Sequence, residues 1–285
     1  MSKNRNPIGA HISVGDGYLE SFRMAVAIGA EAMQIFAKSP MQAKLRAVTS
    51  EESREVREFA DREKVRAIVI HASYLLNFSK PLVPDSYEIK SLVEDVHNSE
   101  ALSGIGAVAH LGKSLKLSKD EAIKNYVHNI QTVVKKTDGL RSAVILENTA
   151  GQGTEIGFRL DELSEIYKQI GDKKRVKFCL DTAHMFGGGY DLADTKATKK
   201  ILNEISESLG IENIACIHFN DSKKPVSSHV DRHEDIGRGT IGEEGLKNFV
   251  VELRELGGEN IPLILETPQG FDTYTEQIKR VRVWL

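Results

Sequence analysis

Short apolar runs alternate along this chain with longer stretches of helical periodicity. The runs are Ile8 to Ile12, Ala32 to Phe36, Ala67 to His71, Gly106 to His110, Ala143 to Glu147, Val176 to Asp181, Ile214 to His218 and Pro262 to Glu266. Each is the length of a strand buried on both faces and is bounded by turn residues. Between them, apolar positions recur at helical spacing over Tyr18 to Ile28, Ser50 to Glu63, Ser86 to Leu102, Lys119 to Thr137, Arg159 to Gln169, Asp194 to Leu209, Glu243 to Leu256 and Thr273 to Leu285. Start signals precede several of these: Thr49 or Ser50 before Glu52, Ser118 before Asp120 and Glu121, and Asp194 before a Lys-rich turn. Gly29, Gly104, Gly139, Gly171, Gly210 and Gly257 stand where helices should stop. Eight strand–helix alternations without a break in composition predict a single-domain α/β protein over residues 1–285, a closed (β/α)8 TIM barrel rather than an open doubly wound sheet. The Gly237 to Gly242 stretch has glycines at dinucleotide-like spacing, but no strand directly precedes it, so it is read as a loop.

A polar residue at the C-terminal end of a barrel strand sits at the catalytic mouth. Six of the runs end there on His71, His110, Glu147, Asp181, His218 and Glu266. The fragments Asp181-Thr-Ala-His184 and Asp231-Arg-His233 bring the set to five imidazoles and four carboxylates. Taken singly, each has a structural explanation, such as a satisfied core histidine or, for Asp181, a helix cap. Nine such groups at one mouth point instead to metal, and they are too many for a single zinc ion.

At 285 residues and 40% hydrophobic content, the chain can bury one large core. The polar start, Met1 to Pro7, and the lack of any apolar stretch near 18 residues lead to the expectation of a soluble, cytoplasmic protein that meets no membrane. Cys179 and Cys216 lie inside apolar runs and read as buried thiols that point away from the ligand pocket or sit below it. The apolar C-terminal cluster Val281, Val283, Trp284 and Leu285 should pack on the barrel. A formal net charge of −3 is unusual for a nucleic-acid-binding chain, yet three divalent ions would take it to +3. Net charge therefore excludes neither class of partner.

The wording of the motifs is informative. LENTAGQG at 146–153, LDTAH at 180–184, HFNDS at 218–222, VDRHEDIG at 230–237 and LILET at 263–267 closely resemble the signature segments of endonuclease IV, the zinc-dependent apurinic/apyrimidinic endonuclease family. IGAHIS at 8–13 and HASYLLN at 71–77 fit as well, so the resemblance runs through nearly the whole chain in order. It implies three zinc ions, replaceable by manganese or iron, at the mouth of the barrel. One would sit on His71, His110 and Glu147, a second on Glu147, Asp181, His218 and Glu266, and a third on His184, Asp231 and His233. Glu147, shared by the first two, would be the catalytic residue that orients an activated water. The implied substrate is double-stranded DNA carrying abasic sites or 3′-blocked ends, cut by a monomer 5′ to the lesion to leave a 3′-hydroxyl and a 5′-deoxyribose phosphate.

By the same resemblance, DNA contacts fall on Lys38, Met41 and Gln42, on Tyr74 and Leu75, and on Arg232. Met41 stands where the family's best-known example has arginine, so this chain has an apolar side chain at that point. Lys44 or Arg46 could supply the missing phosphate contact. His11 is expected to hydrogen-bond a ligand from outside, while His97, His128 and His229 face solvent. A sugar isomerase or epimerase on a related barrel would need only Glu147, Asp181, His218 and Glu266, leaving the other five ligands surplus. A lesion-binding protein without activity should have lost some of the nine; none is missing.

Overall fold

Eight parallel strands close on themselves in the computed structural model, which describes residues 5–38 and 45–285. The strands are β1 (Ile8–His11), β2 (Ala32–Ile35), β3 (Ala67–His71), β4 (Gly106–His110), β5 (Ala143–Glu147), β6 (Val176–Asp181), β7 (Ile214–His218) and β10 (Leu263–Leu265). β1 pairs with β2 on one side and with β10 on the other, which completes the barrel. Outside it, β8 (Asp221–Ser222) and β9 (His233–Glu234) form a short antiparallel pair. The helices are α1 (Tyr18–Ala27), α2 (Ser50–Glu63), α3 (Tyr87–Ala101), α4 (Lys119–Lys136), α5 (Leu160–Ile170), α6 (Thr182–Gly187), α7 (Thr195–Ser208), α8 (Gly242–Glu255) and α9 (Phe271–Arg282).

The local chemistry explains these boundaries. Thr49 and Ser118 each close a capping box with the glutamate three residues on, so α2 and α4 begin where two otherwise orphaned amides are satisfied. The Asp194 carboxylate accepts from the amides of Lys196 and Ala197 to start α7. At Gly171 the chain turns left-handed at φ 82°, and α5 stops. Gly9 and Gly106 are required by the closeness of the strands: a Cβ on Gly9 would lie 1.5 Å from the Ala32 carbonyl oxygen, and one on Gly106 would lie 2.3 Å from that of Ala143. At the C-terminus, Val281 is fully buried and Trp284 and Leu285 pack on the core, but Val283 is 86% exposed and takes no part in the expected cluster.

Side chains alternate between the two faces of a strand, and this alternation sets the site. Val69, Val108, Ile145, Cys179 and Cys216 form one buried apolar layer inside the barrel. Two residues further along each of these strands stand His71, His110, Glu147, Asp181 and His218, which therefore form the next interior layer, at the mouth. Ile264 leads in the same way to Glu266, Ala32 to Gln34 and Gly9 to His11. Both cysteines are free and fully buried beneath this ring.

Candidate metal centre

Glu147 lies at the centre of the ring. Its Oε2 is 3.2 Å from His71 Nε2 and 3.1 Å from His110 Nε2, while its Oε1 is 2.9 Å from His218 Nδ1. One carboxylate thus faces two separate groups of imidazoles. The ligand atoms of His71, His110 and Glu147 lie within 4.8 Å of one another, as do those of Glu147, Asp181, His218 and Glu266. A third group gathers beside them: Asp231 is 3.3 Å from both His184 Nε2 and His233 Nε2, and His233 Nε2 is 3.5 Å from Asp181 Oδ2.

Three of the histidines are oriented in the manner of metal ligands. His71 Nδ1 donates to the Ala72 carbonyl, His184 Nδ1 to that of Asn148 and His233 Nδ1 to that of Glu266. Each of these bonds fixes the orientation of the ring and points Nε2 toward the carboxylates. Nε2 of His184 and of His233 are buried without any hydrogen-bond partner, an expensive arrangement for a polar atom unless it has a cation to coordinate. The donor set of imidazole and carboxylate suits zinc, manganese or iron, so the residues present fit a metal centre.

Elements beyond the strand ends supply the third group. Asp181 Oδ1 accepts from the His184 amide at 2.8 Å, so one carboxylate both faces the centre and caps α6, the short helix that carries His184. His233 is placed by β8–β9 pairing, opposite Ser222. Asp221 anchors that excursion by accepting from the amides of Gly237, Gly239 and Ile241. The glycines of the dinucleotide-like stretch therefore turn their amides to an internal carboxylate, and a Cβ on Gly239 would lie 2.4 Å from it.

Several carboxylates and imidazoles of the cluster offset one another's burial. Burial alone would push the Glu147 carboxyl up, but the imidazoles of His110 and His218 hold it well below the usual carboxylate range. Burial likewise disfavours a charged His218, and the carboxylates of Glu266 and Glu147 outweigh it and raise its pKa to about 10. His184 is raised against its burial by Asp181 and Asp231, and Asp231 is correspondingly lowered, against its own burial, by His184. The carboxylates are therefore held ionised, and His184 and His218, raised alongside them, would release a proton when a cation took its place.

Of the other expected site residues, His11 lies within the ring and meets Glu266 Oε1 at 3.1 Å. Tyr74 and Leu75 stand out from the surface at 52% and 62% exposure, and Arg232 is exposed. Lys38 corrects the sequence expectation: it is 5% exposed, with its ammonium held by Asp95 and the Ser91 carbonyl, and it presents no charge to a DNA backbone. Arg46 stacks over the Tyr18 ring and pairs with Glu52, so it too is engaged. Met41, Gln42 and Lys44 lie outside the described residues. His97 and His128 are exposed on their helices, and His229 is exposed with its Nδ1 at 3.1 Å from the Ala150 carbonyl.

Gln34, Asn148 and Asn220 hold candidate ligands in place and were missed by the sequence reading. Asn220 donates to Asp181 Oδ2 at 2.8 Å and accepts from the Glu266 amide at 2.8 Å, while Asn148 Oδ1 accepts from the Asp181 amide. Gln34 did carry a signal, as the one polar side chain within Ala32–Phe36, on the face that the ligands share.

The fold and this cluster define a class, the metal-binding barrels. The family model described as a xylose isomerase-like TIM barrel matches residues 22–284. An endonuclease 4 of Acanthamoeba polyphaga mimivirus is 35% identical over 98% of this chain and 93% of its own length, and one of Chloroflexus aggregans is 32% identical over 93% and 92%. The crystal structure of endonuclease IV from Thermus thermophilus superposes with a TM-score of 0.83 at 28% identity, covering 98% of each chain. The chain belongs to the endonuclease IV family. A D-tagatose 3-epimerase-like protein also superposes, with a TM-score of 0.72 over 97% of each chain, but at 18% identity it shares the fold alone.

Proposed function

We propose that this chain is a DNA-repair endonuclease that uses three zinc ions to hydrolyse the phosphodiester 5′ to an abasic site, leaving a 3′-hydroxyl and a 5′-deoxyribose phosphate, and that it also removes 3′-blocking groups. The observation that carries the reading is Glu147, whose two oxygens face separate imidazole groups. That is the arrangement a carboxylate shared between two cations requires. His71 and His110 would complete one site, Asp181, His218 and Glu266 a second, and His184, Asp231 and His233 a third. Bound zinc would supply an acidified water and neutralise charge on the phosphoryl oxygens.

The chain's own residues supply the rest. Glu147, held ionised at the centre, orients the attacking water from its protected position. His110 is the most open ligand of the inner set, with 30% of its side chain exposed, and marks the side from which a phosphodiester arrives. Tyr74 and Leu75 project apolar surface beside the mouth, which suits side chains that fill the gap left by an extruded nucleotide. Arg232, exposed next to His233, would meet phosphate, and the sequence resemblance assigns Met41 and Gln42 to DNA contact as well.

A sugar isomerase would use the four-ligand set alone and leave His71, His110, His184, Asp231 and His233 without a role. The two readings separate on a labelled duplex bearing one abasic site. We expect incision on its 5′ side, with a 3′ end that a polymerase extends and activity that chelation removes. Absence of incision, with ketose–aldose interconversion in its place, would overturn the proposal.

A further inference from the structure

The ring at the barrel mouth holds eight side chains, and two of them, His11 and Gln34, are not among the expected ligands. Gln34 is fully buried, and its amide makes two kinds of contact. Its Oε1 lies 2.8 Å from His218 Nε2, and its Nε2 lies 2.7 Å from Glu266 Oε1 and 3.0 Å from His11 Nδ1. The amide oxygen can only accept and the amide nitrogen can only donate, so the pattern is self-consistent in one orientation. His218 donates its Nε2 proton to Gln34, and Gln34 donates to Glu266.

His71, His184 and His233 are oriented by backbone carbonyls, which no substitution can remove. His218 rests on a side chain. With Nε2–H committed to Gln34, its Nδ1 is left for the cluster, where it lies 3.0 Å from Glu266 Oε2 and 2.9 Å from Glu147 Oε1. The same amide holds Glu266 by its other oxygen. Both partners belong to one expected metal site.

We propose that Gln34 is a positioning residue that aligns His218 and Glu266 as a pair and so sets the metal affinity of the four-ligand site, an inference that rests on the metal-dependent reading above. Removing an outer hydrogen-bond partner of a metal ligand typically weakens binding by about 10–100-fold. Gln34→Met keeps the shape of the side chain and loses both bonds. Gln34→Glu keeps an acceptor for His218 but loses the donor to Glu266 and sets a second carboxylate against it, where the amide nitrogen now lies 2.7 Å from Glu266 Oε1.

The test is zinc titration of purified, metal-stripped protein against a competing chelator, with metal-free melting curves measured in parallel. Wild-type protein should take up about three zinc ions. Gln34→Met should lose about 10–100-fold in affinity at one of them, keep the other two and still melt cooperatively without metal, and Gln34→Glu, which keeps only the His218 bond, should stay weakened at that same site. A general packing defect would weaken every site together. Wild-type affinity at all sites in Gln34→Met, or equal weakening of all of them, would overturn the inference while leaving the metal centre in place; failure of the wild-type protein to bind zinc would remove both.

Discussion

Glu147 and Lys38 are both buried charged residues, but they differ in what surrounds them. Glu147 faces imidazoles on two sides, whereas Lys38 is sealed against Asp95 and the Ser91 carbonyl, where burial drives Asp95 up to about 6 despite the ammonium beside it. The two should therefore fail differently. Glu147→Gln should abolish incision and lower bound metal at two sites, a larger loss than the roughly 10–100-fold expected for an outer partner, as seen in activity and metal content of the same sample. Lys38→Met leaves a buried carboxylate uncompensated and should cost about 3–5 kcal/mol in denaturant unfolding, most of it recovered in the Lys38→Met/Asp95→Leu double variant. No feature of the sequence distinguished these burial environments. Lys38 follows β2 in a loop, and only the packing of α3 against that loop shows that the ammonium turns inward.

Elements that deliver ligands act as levers on the site. Asp181 is both a cap and a candidate ligand, so α6 would couple the four-ligand site to the His184 site. Asp181→Asn retains an N-cap acceptor and should weaken chiefly the four-ligand site, whereas Asp181→Ala also removes the cap and should cost the His184 site as well. Zinc titration of the two variants checks this; identical titrations would rule out the coupling. The strands and long helices were legible because each carries its own periodicity and stop signals. α6, β8 and β9 were not, because six residues of helix and two-residue strands are too short to show a period and form through tertiary contacts. These are the elements that set His184 and His233, so the sequence offered both as candidates in the fragments 181–184 and 231–233 without showing what would bring them to the mouth.

Across the full chain, closure of the barrel brings residues from opposite ends together, as His11 and Glu266 show. Closure leaves no room at Gly9, and Gly9→Ala should destabilise the fold by about 3 kcal/mol, at the upper end for overpacking, as read by denaturant unfolding. Charge is also a property of the entire protein. At a formal −3, it would on the proposed function gain its attraction for DNA from the metal charge and from local groups such as Arg232, so chelation should weaken duplex binding, and binding should fall as salt rises. Among the described residues no helix is long and apolar enough to cross a membrane.

The proposed function requires one cluster, organised around Glu147, to hold three metals and cut DNA at abasic sites. Incision of an abasic duplex should therefore be followed while zinc is added back to chelator-stripped protein. We predict no cleavage by the stripped protein and full 5′ incision only as about three equivalents bind. Full activity at one equivalent, or none at any zinc loading, would contradict the proposal.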